Sequence, residues 1–438
     1  MPPVPSLPSS LMALLVVFES CFTAPSFRTF AALLAGLVVQ SGPRTVCGML
    51  AGAGCARVWA HDRAHRFFAH TRWSPERVGL ALARLVVTLL VPPEAPITVV
   101  IDDTLFRRRG KKGWAASWFH DGSATGKIKT GFGHNWVIVA ILVWLPFISR
   151  PVCLPALARL VIKNTTSASR LWLATQMVAQ LARAFPDRQI DAVADSAFAG
   201  QQLRTLPAQV SWTTRPRKDA ALYQLAPPRT GTRGRPRLKG PRLGSLAQLA
   251  ATTTFTPATV VRYQTTSTVQ IATITCLWYT VFGPRQARVV FLREPGTRRG
   301  YDLVLITTDL TSDPATIVAR YAARWAIEVM IKDAKQLFGA GQTHTRTAAA
   351  VQHAVPFALL CQTITVLWYA TAGHHPDDLT DRRADAPWYV SKSQPSTLDM
   401  IIKLRRVLIA ARNRPAQPDQ PTPEEIHAVL LAWDLHAA

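Results

Sequence analysis

The sequence predicts a mixed α/β protein: a core of strands and helices, a β-rich insertion, and helical regions at both ends. Three observations carry that expectation. Continuous β-branched runs, above all Ile97-Thr-Val-Val-Ile101, read as buried strands. Apolar stretches with helical spacing lie before, between and after them. Thr252 to Leu292 is dense in Thr, Val, Tyr and Ile, which favours strand.

Residues 1–92 read as a helical, DNA-binding region. Phe27 to Gln40 and Pro75 to Leu90 have helical apolar spacing. Between them Arg57, His61, Arg63, His65, Arg66, His70 and Arg72 alternate with Trp59, Phe67 and Phe68. A basic helical module with interleaved aromatics suits a DNA groove; an amphipathic bundle with a basic outer face is the competing reading. Val91 to Pro96 is a stiff connector.

Residues 93–214 form the first part of the core. The Ile97 strand runs into Asp102-Asp103-Thr104. Arg107 to Lys129 is rich in Gly and basic residues, a loop whose Lys111, Lys112, Lys127 and Lys129 could follow a phosphate backbone. Trp136 to Trp144 and Phe147 to Leu154 read as strands joined at Pro146. Thr166 to Phe185 is a helix capped by Thr166 or Ser167. Gln189 to Ala194 is a strand ending in Asp195, and Gln209 to Thr214 another.

Residues 215–308 are the β-rich insertion. Its basic opening includes Gly234-Arg-Pro-Arg237, which is either a minor-groove hook or a plain basic loop. Residues 309–370 complete the core. Asp313-Pro314 supplies an N-cap and a first-turn proline for one long helix reaching Phe338 and stopping at Gly339-Ala-Gly341. Val351 to Tyr369 is a further apolar helix. In residues 371–438, His374 and His375 sit in a polar loop, and helices are expected near Ser396 to Asn413 and Pro423 to Leu435.

Composition narrows the function. With 48% hydrophobic and 17% charged residues, most of the chain should fold. Fifty Lys and Arg against 26 Asp and Glu give a formal charge of +24, which favours a polyanionic partner. The six cysteines include no CxxC pair and show no paired ligand spacing for zinc, so a reduced cytoplasmic compartment is expected. No membrane span is expected: Leu11 to Phe18 lacks the basic flank of a signal peptide, and Trp136 to Ile148 is too short.

Two features could carry chemistry. On the long helix, Tyr321, Arg324, Glu328 and Lys335 stand at offsets 0, 3, 7 and 14. At roughly 100° per residue they share an arc of about 60°. A phenol, a guanidinium, a carboxylate and an ammonium in one row can hold a metal and the phosphates around it; a solvated face with an i, i+4 ion pair would look the same. The second feature is a pair of acids at strand ends, Asp103 and Asp195, where an α/β sheet opens its crevices. An Asp there can equally cap a turn. Two strand-end acids and one helix acid, with no cysteine nearby, suit a hard cation such as Mg²⁺ or Mn²⁺.

Tyr321-x-x-Arg324-x-x-x-Glu328-x6-Lys335 resembles the Y-R-E-K motif of bacterial insertion-sequence transposases of the DDE superfamily. Val100-Ile-Asp-Asp-Thr104 and Val193-Ala-Asp-Ser196 resemble that family's first and second acidic blocks, and the likeness spans residues 95 to 370. It implies a ribonuclease-H-like core with a β-rich insertion between the second Asp and the Glu. It implies that Asp103, Asp195 and Glu328 are catalytic and hold a pair of Mg²⁺ or Mn²⁺ ions. Tyr321, Arg324 and Lys335, with Arg346 just beyond, would contact DNA phosphates. Asp102 and Asp103 point to opposite faces of a strand, so only one can be a ligand; the family pattern favours Asp103, next to Thr104. The implied partners are double-stranded DNA, both element ends and target, and a second copy of the chain when bound to DNA. The implied setting is the bacterial nucleoid. A nuclease that cuts without joining, and an inactive transposase-derived DNA-binding protein, are the alternatives. Trp325 is expected in the core, and His134 and Asn135 have no assigned role.

Overall fold

The computed structural model describes residues 6–122, 124, 127–228, 236–297 and 300–413. The helix expected near Pro423 to Leu435, and Gly234 and Arg235 of the basic loop, lie outside the described residues. The described residues begin with the α-helices α1 (Ser9–Leu15), α2 (Ala24–Val39), α3 (Val46–Gly52), α4 (His61–Ala69) and α5 (Pro75–Leu90). Strands β1 (Ile97–Arg107), β2 (Ser117–His120), β3 (Thr130–Val143) and β4 (Val152–Leu160) follow. Next come α6 (Arg170–Ala184), β5 (Ile190–Ala194) and β6 (Val210–Thr214). The insertion holds α7 (Leu246–Thr252), β7 (Thr256–Arg262), β8 (Thr265–Cys276), α8 (Tyr279–Phe282), β9 (Ala287–Arg293) and β10 (Leu303–Thr307). The chain then forms α9 (Pro314–Ala323), α10 (Ala326–Gln336), α11 (Ala348–Trp368), α12 (Asp378–Asp385) and α13 (Thr397–Asn413).

One mixed sheet organises all of this, in the order β2-β3-β1-β5-β6-β10-β9-β8-β7, with β4 also on β3. β1, β5 and β6 run parallel; β3 is antiparallel to β1, and β4 to β3. The insertion strands therefore continue the sheet, entering through the antiparallel pair β6–β10. Part of the expected Arg107 to Lys129 loop is strand β2, paired with the start of β3.

The pleat sorts β1 into two cores. Val99 and Ile101 join α6 residues such as Leu173, Ala174 and Met177 on one face. Val100 joins Ile327, Met330 and Ala334 of α10 and Val355 and Leu359 of α11 on the other. A third cluster packs Ile317 and Val318 of α9 on Val260, Val290 and Leu305 of the insertion. α11 is long and apolar enough to cross a membrane by length and composition, but 89% of its apolar window is buried inside the fold, as in a core helix. In the N-terminal region Phe67 and Phe68 of α4 and Trp59 and Trp73 of the connections flanking it are buried. Phe67 stacks with Trp73 and meets Phe357 of α11 edge-on, so these aromatics serve packing.

Candidate active site

The parallel ladder between β1 and β5 ends with Ile101 opposite Ala194. The next residue on each strand is Asp102 and Asp195, so the two acids leave neighbouring strands side by side, at a strand spacing of about 4.8 Å. Alternation from Val100 aims Asp102 at α10. Asp191, four residues before Asp195 on the same face, meets Arg320 of α9 at 3.0 Å. Asp102 and Asp195 thus share the face covered by α9 and α10.

Asp103 does not. It belongs to the opposite face, where Asn135 Nδ2 donates to Oδ2 at 2.8 Å and Arg170 of α6 reaches Oδ1 at 3.2 Å. The structure therefore places Asp102, and not the Asp103 that the family pattern favours, on the face shared with Asp195 and Arg324. The reason is the pleat: a strand that buries Val100 against α10 must send Asp102 there and Asp103 away. Asn135 gains a role as the hydrogen-bond partner of Asp103.

The long helix is broken. Arg324 N donates to Tyr321 O (3.2 Å), Trp325 N to Ala322 O (3.2 Å), Ile327 N to Arg324 O (3.0 Å) and Glu328 N to Trp325 O (3.1 Å). These i to i+3 bonds form a tight 3₁₀-type turn between α9 and α10. The turn swings Trp325 outward, 55% exposed, against the core position expected for it. It presents Arg324 inward: Nη1 lies 3.5 Å from Asp102 Oδ2 and Nη2 lies 3.4 Å from Glu328 Oε1.

Charge shifts describe the same cluster. Burial pushes the Asp102 carboxyl up to about 7, against the opposing pull of the Asp103 amide and Arg324; Asp195 and Asp103 push it further up. Arg324 is held above its usual range. Burial alone would lower it, but Tyr321, Asp102, Glu328 and Asp195 outweigh that. Tyr321 is raised by burial and lies beside Arg324, with the guanidinium 5.8 Å from its ring centre. Asp195 also caps a short turn, its Oδ1 accepting from Ala197 N at 2.9 Å, as the capping reading expects, while it stands at the strand end beside Asp102.

The structure does not bring Lys335 to the carboxylates. Its ammonium lies 5.5 Å from the Phe106 ring, near Asp121 and Arg107 at the far end of β1, and burial lowers its pKa. Seven residues past Glu328, it stands about 10 Å further along the helix. Arg346 is exposed, and its carbonyl accepts from Trp114 N at 3.0 Å. Lys111, Lys112, Lys127 and Lys129 are exposed beyond β1, on Lys335's side. A cavity of about 580 Å³, lined by Trp144, Tyr263 and Trp325 among others, lies beside the helix break; none of Asp102, Asp195 or Glu328 lines it.

The donor set suits a divalent cation. Asp102, Asp195 and Glu328 offer only carboxylate oxygens, and a carboxyl driven up to about 7 is one whose charge lacks full compensation. Among the described residues these three do not bring their oxygens within 4.8 Å of one another. Arg324 bridges two of the three, Asp102 and Glu328.

A strand-end pair of acids facing an arginine and a glutamate on the covering helices defines a carboxylate-centred site on a mixed sheet. The family model for DDE superfamily endonucleases matches residues 17–280, well over half of the chain, and the chain belongs to that family. The match contains Asp102, Asp103 and Asp195 and stops before Arg324 and Glu328. Nucleases of this superfamily generally use divalent metal ions. Among solved structures, the chain is similar to a piggyBac transposase synaptic complex with hairpin DNA, at 11% identity and a TM-score of 0.41, over 97% of this chain and 80% of that one. Comparison with curated proteins finds no match.

Proposed function

We propose that this endonuclease is a DNA transposase with a ribonuclease-H-like core, cutting at element ends and joining the freed 3′-hydroxyls to target DNA. The observation that carries the reading is the convergence of Asp102, Asp195, Arg324 and Glu328 on one sheet face. The strand arrangement β4-β3-β1-β5-β6, with only β3 reversed, supports the ribonuclease-H-like assignment. In this proposal Asp102, Asp195 and Glu328 hold two Mg²⁺ or Mn²⁺ ions. Such ions supply an activated water or 3′-hydroxyl and stabilise the leaving oxygen of a phosphodiester.

The chain's own groups do the rest. Arg324 keeps Asp102 and Glu328 facing each other and carries positive charge where a phosphate would sit. The Tyr321 hydroxyl, kept protonated by burial, is a donor beside Arg324. Lys335, Lys111, Lys112, Lys127 and Lys129 lie further out and hold flanking phosphates; Arg346 belongs to the same rim. Both element ends and target DNA are bound largely by such contacts, which makes affinity fall steeply with salt. A second copy of the chain would bind the paired end.

The test uses supercoiled plasmid carrying the sequences that flank the gene, with Mg²⁺, and separately pre-cut ends bearing 3′-hydroxyls. Nicking at those ends and covalent joining to target are expected. Cutting without joining would leave a nuclease only. Full cleavage by the Glu328→Ala protein would refute the site.

A further inference from the structure

We propose a second metal site, for Zn²⁺, in the N-terminal helices, built from Cys47, His61 and His65. The sequence shows no paired zinc spacing of the cysteine type, and the fold reveals why: the ligands come from two elements. His61 and His65 stand at i, i+4 on α4, so both imidazoles leave one face. Cys47, in the first turn of α3, meets them from the side. Cys47 Sγ lies 3.3 Å from His61 Nε2 and 3.5 Å from His65 Nε2, and the three ligand atoms all lie within 4.8 Å of one another.

These lengths fit coordination. An ion about 2.3 Å from sulfur and about 2.0–2.1 Å from nitrogen, with tetrahedral angles, sets sulfur and nitrogen about 3.5 Å apart. One thiolate and two imidazoles are borderline-soft donors, which select Zn²⁺ over the hard cations suited to Asp102, Asp195 and Glu328. All three residues are exposed, so an ion can enter from solvent and water can complete the fourth position. Asp62, between the two histidines in sequence, pairs instead with Arg66 at 3.6 Å.

Binding replaces the Cys47 thiol proton by the metal and releases it to solvent, while the histidines give neutral nitrogen lone pairs. The bound ion ties α3 to α4. These helices have seven and nine residues, too short to hold themselves. α4 is otherwise anchored by its buried Phe67 and Phe68 and by Arg63, whose Nε donates to Thr29 Oγ1 at 3.1 Å. The site acts as a clamp that fixes the basic face of α4.

The experiment titrates Co²⁺, then Zn²⁺, into the full chain, with excess Mg²⁺ present to occupy the carboxylates. One equivalent of Co²⁺ should give a thiolate-to-cobalt charge-transfer band, and Zn²⁺ should bleach it and raise Tm. Cys47→Ser should remove the band. His65→Asn should weaken Co²⁺ binding by more than the roughly 10–100-fold that outer-shell changes cost. No band in the unaltered protein, or a band that survives Cys47→Ser, overturns the proposal. Should the variants fail to fold, Zn K-edge absorption of the unaltered protein decides. One sulfur among the nearest ligands supports the site, and a shell of nitrogen and oxygen alone refutes it.

Discussion

Arg320 and Arg324 lie one helical turn apart, and each bridges two carboxylates, yet their surroundings differ. Arg320 meets Asp191 and Asp309 at 3.0 Å each, and all three side chains are almost wholly buried. The remaining oxygens are satisfied: Ser211 Oγ donates to Asp191 at 2.7 Å, and Thr311 and Ser312 amides donate to Asp309. Arg324 makes longer contacts of 3.5 and 3.4 Å, and Glu328 is 38% exposed. The carboxylates diverge accordingly. Burial alone would raise Asp309, but bonds from Ser312, Arg320 and Thr311 overcome it and hold it well below the usual range, whereas Asp102 rises to about 7. A closed triad fastens α9 to the sheet; an open one leaves charge for something else to neutralise.

The largest expected effect breaks the open cluster. Asp102→Asn should cut Mg²⁺-dependent DNA cleavage by at least about 10³-fold, as for groups that act as a unit. Asp103→Asn should retain most of it, because Asp103 faces Arg170 and Asn135. Measuring both on one plasmid substrate decides between neighbouring residues; the reverse ranking would sink the face assignment. Next in size is the closed triad. Arg320→Ala leaves two buried carboxylates unpaired and should cost about 3–5 kcal/mol of stability. Arg324→Ala should cost much less, since Asp102 can take a proton instead. Thermal melts of the pair at one pH test that contrast, and equal losses would erase the distinction.

The sequence made much of this legible where local rules act alone. β1, β3, β5 and β6 follow their apolar runs, and Asp313-Pro314 starts α9 as expected. The placement of Asp195 at the end of a strand and of Glu328 on a helix was readable from local pattern. Asp102 against Asp103 was not, because both faces of β1 are buried and only the packing of Val100 on α10 sets which acid faces inward. Nor was the break at Arg324 and Trp325: the segment has no Pro or Gly, and tertiary contacts fix the turn. The insertion's continuity with the main sheet depends on the β6–β10 pairing, a contact between residues far apart in the chain. Cys47 with His61 and His65 was hidden likewise. The i, i+4 histidines were visible as a spacing, but their third partner needed the fold.

Smaller effects sharpen the contrast through pH. In the chelated protein Asp102 has a folded pKa of about 7 against an ordinary 3.8. Its carboxyl therefore favours the folded state most fully below pH 4. That contribution is lost as pH rises toward 7, at most about 4 kcal/mol for the whole shift. Asp309 has the opposite sign: its contribution is present above its ordinary pKa and is lost on acidification. Denaturant melts from pH 4 to 7 should show Asp102→Asn flattening the falling limb. An unchanged slope would mean that Asp102 is not the strained acid.

The smallest expected effect is on the other face of β1. Asp103→Ala removes the acceptor of Asn135 Nδ2 and the partner of Arg170, whose side chain is 32% exposed. Water can reach Arg170 but not so readily the buried amide, so the cost is that of one unsatisfied group, about 1–3 kcal/mol. Asp103→Asn keeps an acceptor for Asn135 and should cost less than Asp103→Ala. A denaturation series of the two variants measures the difference; if Asp103→Asn were the worse, the Arg170 charge rather than the Asn135 hydrogen bond would be what Asp103 holds in place.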